Sequence, residues 1–259
     1  MKKKILIPII LLTVVCFYFF SNCNSINTNF KPSSAKSISH ELFEELLVAN
    51  VTDKGNVNYQ NFIKEKKKFI QYLDLLSDNA PSPKWSKNQK LAYWINAYNA
   101  FTIKLIIDNY PVKSITDLHP PMSIGLINGI WHKKFFRIGG QEMNLNAIEH
   151  QILRKDFEEP RIHFAIVCAS KSCPKLLNHA FVADKIEEQL MQQAKAFLAD
   201  DFRNKIKKEK IELSKIFSWF KGDFTKKSNL ITFLNQYSPT PIDKNASISY
   251  LDYDWSLNE

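Results

Sequence analysis

The chain has 259 residues, a formal net charge of +9 and 45% hydrophobic residues, nineteen of them Phe. Its apolar content is that of a globular protein, enough for one large domain or two small ones. Six Gly leave little room for a glycine-rich phosphate loop. The lysine clusters at 64–68 and 205–210 are broken by Glu65 and Glu209 and lack interleaved aromatics, so no nucleic-acid partner is expected.

The start is Met1-Lys2-Lys3-Lys4, followed by an uncharged stretch from Ile5 to Phe20 and a polar exit. A basic start before a short apolar run makes an export signal. Phe20-Ser21-Asn22-Cys23 resembles a loose lipobox, with Phe where Leu is usual and Asn where Gly or Ala is usual. The expectation is removal of residues 1–22, a lipid on Cys23, and a membrane-anchored protein of the bacterial cell envelope, in the periplasm or at the outer membrane. An uncleaved anchor competes, because the run approaches the roughly 17 residues a spanning helix needs. Residues 23–36, rich in Asn, Ser, Thr, Lys and Pro, read as a flexible tether. Residues 37–259 read as a single globular domain.

Along that domain, Ser39 can cap a helix reaching about Ala49, and Asp53-Lys54-Gly55 marks a turn. A second helix is predicted over 60–77 and a third, the most hydrophobic, over 88–109, ended by Pro111. Residues 113–132 read as a loop. Phe135 to Met143 with Gly139-Gly140 between its halves predicts a two-residue hairpin. Asn144 can cap a helix to about Arg154. The apolar run from Ile162 to Cys168 has the length of a buried strand. A loop to Ala180, an amphipathic helix over 184–199, a strand at 210–213, an irregular aromatic stretch over 216–224, a short helix over 227–236 and an edge strand at 248–250 complete the reading. The fold class is mixed α+β, helix-rich and packed on a small sheet.

Three places could carry chemistry. On the third helix, Trp94 lies on the apolar face, Asn96 falls beside Ile103 and Asn99 beside Ile106. Buried amides need partners. They either clip a neighbouring loop or line a binding site. On the next helix, Leu145, Ile148 and Ile152 form the inward stripe, and Glu149 lies four residues from both Leu145 and Leu153. A carboxylate placed there needs a donor, as in an ion-pair network or an active site. His150 is predicted to project about 100° away. At the end of the predicted strand sits Cys168, with Cys173 after a short polar loop. His163 falls on the opposite strand face from Cys168. The two thiols form a disulfide, a reactive site, or neither; no metal spacing appears and no cofactor is expected.

The ordered motifs Leu91 to Phe101, Tyr110 to Ile115, Trp131 with Lys133-Lys134, Gly139-Gly140, Leu145 to Leu153 and His163 to Cys173-Pro174 resemble the domain of unknown function 547 family. The closing Tyr253 to Asn258 is similar to the end of its bacterial members. The resemblance implies that Trp94, Asn96, Asn99, Glu149, His150, His163, Cys168 and Cys173 fall on family motifs. It implies no reaction. The first functional reading is a cysteine-dependent hydrolase or acyl- or amide-transfer enzyme. Cys168 or Cys173 would be nucleophile, His150 or His163 base, and Glu149 or Asn99 the orienting group. The second is a non-catalytic envelope protein binding a ligand or partner beside a structural Cys168–Cys173 pair. The third is dithiol redox chemistry.

Overall fold

The computed structural model describes residues 30–31, 36–121 and 129–259. The expected export signal, Cys23 and most of the expected tether lie outside the described residues.

The architecture grows around one buried helix. Helix α4, Lys87–Ile107, begins at Ser86, whose Oγ accepts from Gln89 N–H at 3.2 Å while Gln89 Oε1 accepts from Ser86 N–H at 2.8 Å. This capping box satisfies two donors that a helix start leaves open. From Leu91 to Ile107 every side chain except Lys104 is buried. A helix apolar on all sides can exist in water only when other elements enclose it. Here α2 (Tyr59–Lys64) and α3 (Lys66–Asp78) cover one side, with α1 (Glu41–Asn50) packed on both of them, while the segment around Glu149 and helix α6 (Ile186–Leu198) cover another. The helix expected over 60–77 is broken at Glu65, whose carboxylate accepts from Asn50 Nδ2 at 2.6 Å.

The hairpin forms as expected: β1 (Phe136–Ile138) pairs antiparallel with β2 (Gln141–Met143). Gly139 and Gly140 have φ of 54° and 80°. Both therefore occupy the left-handed region that a tight hairpin turn requires. A side chain at Gly139 would also come within 2.8 Å of Ala80.

A second hydrophobic cluster lies towards the C-terminus. It joins α6 to β4 (Lys210–Leu213), α7 (Ile216–Trp219), α8 (Lys221–Phe224) and α9 (Leu230–Leu234), with Phe164 among Phe197, Phe217, Phe224 and Phe233. Its sheet runs β3 (Lys205–Ile206), β4, β5 (Ser247–Tyr250), antiparallel and then parallel. The fold is thus mixed helix and sheet, with the edge strand at the expected place.

The stretch 216–224, expected to be irregular, forms the helical turns α7 and α8, and two further expectations are corrected. The run Ile162 to Cys168 is not a strand. Pro160 starts a 3₁₀ turn through Phe164, and the chain then continues irregularly. It needs no sheet partner because side-chain amides take up its backbone. Asn99 Nδ2 donates to Ala165 O and Asn99 Oδ1 accepts from Val167 N–H, both at 2.9 Å, and Gln193 Nε2 donates to Phe164 O at 3.1 Å. The apolar pattern reported burial, which a strand and a clipped turn share. The helix after Asn144 is likewise different: Ala147–Leu153 is a π-helix, followed by the single turn α5 (Arg154–Phe157). Asn144 still caps it, its Oδ1 accepting from Ala147 N–H at 2.8 Å.

Candidate functional site

The wider π turn changes which side chains share a face. Glu149 and His150, expected about 100° apart, both line one cavity of about 320 Å³. His163, Cys168 and Cys173 line the same cavity, together with Tyr98, Arg154, Phe220 and Tyr253. Five candidates spread over 25 residues of chain therefore converge. Wide helical turns of this type recur at functional sites because they re-aim side chains.

Glu149 is buried, and its nearest donor is Tyr98, whose hydroxyl lies 3.3 Å from Oε2. Removal from water raises its carboxyl pKa to about 7, against the opposing pull of Arg154 and the Tyr98 hydrogen bond. Near neutral pH it is therefore divided between acid and base.

Next to it runs a charged chain. Arg154 grips Asp223 with two bonds, Nε to Oδ2 at 2.5 Å and Nη2 to Oδ1 at 3.1 Å. Its Nη1 meets His150 Nδ1 at 2.5 Å. A guanidinium can only donate, so Nδ1 accepts and the His150 proton sits on Nε2. Loss of water around the ring, then the Arg154 cation, lowers the His150 pKa to about 4. His150 is thus a neutral donor rather than a base.

His163 Nε2 lies 2.8 Å from Asp223 Oδ2, and its ring stacks on Phe220 at 4.0 Å. Burial lowers its pKa against the pull of Asp223, so the ring is neutral, with Nε2–H on Asp223 and the lone pair on Nδ1. Burial alone would raise the Asp223 pKa. The hydrogen bonds from His163 and Arg154 outweigh it and hold the carboxyl well below its usual range.

Cys168 and Cys173 are joined as a disulfide. The sulfurs differ in surroundings. Cys168 is partly exposed, whereas Cys173 is 2% exposed. Cys173 Sγ lies 3.0 Å from Cys168 N, 3.2 Å from Ser170 Oγ and 3.2 Å from Tyr253 Oη. The loop is braced from outside. Arg203 donates to Cys173 O at 2.5 Å and Lys171 O at 2.7 Å, and Lys171 N–H donates to Ser256 O at 2.8 Å. Ala169 stands in the left-handed region at φ 59°, which costs a non-glycine residue about 1–2 kcal/mol.

Residues 82–198 match the model of the family described as protein of unknown function, DUF547. The match supports the resemblance over that segment, from α4 through the π-helix and the cysteine loop to the end of α6. Asp223 and Tyr253 lie beyond it. No curated protein and no solved structure matches the chain. Among the described residues, no group of three or more His, Cys, Asp or Glu is placed to hold a metal ion, and no helix is long and apolar enough to cross a membrane.

The three candidates on α4, within the DUF547 segment, do not line this cavity. Asn96 closes a pair of bonds on Phe181, donating to its O at 2.8 Å and accepting from its N–H at 2.9 Å. Asn99 is fully engaged by Ala165 and Val167. Trp94 is 4% exposed and packs on Phe30 and Tyr93. Their placement supports loop fastening rather than the binding role expected for them. Residues missed in the sequence are Arg154, Asp223, Tyr98 and Tyr253. Two left a signal: Arg154 stands four residues after His150, where helix neighbours meet, and Asp223 is the one acid in the aromatic stretch 216–224.

Proposed function

We propose that this is an exported, lipid-anchored cell-envelope protein whose cavity is the active site of a hydrolase or an acyl- or amide-transfer enzyme. The observation that supports it most is Glu149: a buried carboxyl with a pKa raised to about 7, on the same cavity wall as two neutral histidines and a partly exposed cysteine. A proton-transfer group works best when its pKa lies near the ambient pH. In this reading Glu149 takes the proton from the nucleophile and returns it to the leaving group. His150 Nε2–H faces the oxygen that becomes negative. Cys168 is the nucleophile once its bond to Cys173 is reduced, so activity should require a thiol reductant.

The test uses the purified mature protein, reduced with dithiothreitol, and a set of p-nitrophenyl esters, thioesters and anilides. Turnover should rise through an inflection near pH 7 and fall about 100-fold in Glu149→Gln, the usual scale of a lost acid–base group. Cys168→Ser should abolish it. Full activity in Glu149→Gln overturns the assignment. No turnover of any ester, thioester or anilide overturns the enzymatic reading and leaves the same cavity as a ligand-binding site.

A further inference from the structure

The two sulfurs of the disulfide are unlike in a way that gives an exchange reaction a direction. Cys168 is partly exposed on the cavity. Cys173 is buried; the Ser170 and Tyr253 hydroxyls lie 3.2 Å from its Sγ and 3.4 Å from Cys168 Sγ, whereas the Cys168 N–H, at 3.0 Å, donates to Cys173 Sγ. Ser170 has one hydroxyl proton, and its Oγ lies 3.1 Å from Tyr253 Oη and 3.2 Å from Cys173 Sγ. Given to the tyrosine, that proton makes a relay from Ser170 to Tyr253 to Cys173, in addition to the backbone N–H of Cys168. Burial holds the Tyr253 pKa above its ordinary value, so its proton stays in place to be shared. Above the disulfide, Trp219 stacks on Trp255 at 5.7 Å and touches Tyr253 at 4.8 Å. Trp219 is 40% exposed. The cavity is thus open to a ligand on the Cys168 side, along an aromatic wall.

We propose that Cys168–Cys173 is a thiol–disulfide exchange site for thiols carrying an apolar or aromatic group. This goes beyond the hydrolytic reading and does not depend on it. The incoming thiolate attacks Cys168 Sγ, forming a mixed disulfide and breaking the Cys168–Cys173 bond. The electron pair leaves on Cys173 Sγ, where the Cys168 N–H and the Tyr253 O–H stabilise the new thiolate. A second substrate thiolate attacks the substrate sulfur of the mixed disulfide and expels Cys168. Two thiols become one disulfide, their two protons and two electrons ending on the two cysteines. A leaving sulfur with a stabilised thiolate departs faster, so the asymmetry fixes which sulfur is attacked and which is released.

The experiment follows opening of the disulfide in the purified mature protein by benzyl mercaptan and by 2-mercaptoethanol, with mass mapping of the mixed disulfide after an acid quench. The expected result is a mixed disulfide at Cys168 alone. Benzyl mercaptan should act about tenfold faster than 2-mercaptoethanol at equal thiolate concentration, and Tyr253→Phe should slow both about tenfold, one tenfold step corresponding to a single lost hydrogen bond to charge. Trp219→Ala should slow benzyl mercaptan more than 2-mercaptoethanol and so remove the preference for the aromatic thiol. A mixed disulfide at Cys173, equal rates for the two thiols, or opening only in guanidinium overturns the proposal; the last result makes the bond a structural staple. These readouts follow sulfur bonds only, so they stand whether or not any ester is hydrolysed.

Discussion

Two sets of polar side chains lie on neighbouring parts of this molecule, one wholly buried and one at the wall of a cavity, and they are treated in opposite ways. On α4, Asn96 and Asn99 spend both ends of each amide on backbone groups of the loop they face. On the π-helix, Glu149 has a single long hydrogen bond among the described residues, to Tyr98, the exposed His150 spends Nδ1 on Arg154, and both groups have displaced pKa values. The first set is complete without any visitor, and the second is not. Burial of a polar residue is therefore not the mark of a site. The mark is a buried polar group whose hydrogen-bonding capacity remains partly unspent beside a cavity.

The largest effect that would test this contrast is on stability. Asn99→Ala orphans Ala165 O and Val167 N–H, and each buried group left without a partner costs roughly 1–3 kcal/mol. The expected loss is about 4 kcal/mol in urea unfolding, with the turnover per folded molecule unchanged. A loss below about 1 kcal/mol would break the comparison from the α4 side.

Glu149→Gln should do the reverse. The folded carboxyl pKa is raised from 4.5 to about 7, so the fold holds a proton that the unfolded chain has released between those pH values. Stability from this group is therefore lost as pH rises through that window. Removing the charge should leave stability unchanged near pH 4 and raise it by up to about 3 kcal/mol at pH 8. A variant less stable than the parent at pH 8 would mean that the carboxylate has partners beyond Tyr98.

On the acid side the histidines govern. Burial lowers the His40 pKa to about 4, and His163 is shifted the same way. The unfolded chain takes up these protons below about 6.5 while the fold refuses them, so stability should fall as pH drops from 6.5 towards 4. At pH 5 the loss should be about 1 kcal/mol or more from His40 alone, allowing for its partial exposure. His40→Gln should flatten that slope in thermal melts.

The smallest effect sharpens the site itself. Arg154→Gln removes a cation from beside His150 and Asp223, so the His150 titration midpoint seen by NMR should move up. An unmoved midpoint would show that desolvation alone sets it.

Much of this was legible along the chain. The Gly139-Gly140 hairpin, the cap at Asn144, the enclosed helix around Asn96 and Asn99, and the candidates Glu149, His150, His163, Cys168 and Cys173 all follow from spacing and local chemistry, because turns, caps and apolar periodicity are short-range. Tertiary structure decided the rest. Ile162 to Cys168 reads as a strand until Asn99 and Gln193, far away in sequence, satisfy its backbone. Glu149 and His150, neighbours on a π-helix that the sequence reads as an α-helix, line one cavity. Asp223 and Tyr253, 60 and 80 residues beyond His163 and Cys173, complete the site. A residue's type and periodicity set whether it is buried. Which donor meets it there depends on contacts between distant segments, and those contacts separate a fastened amide from an open carboxyl.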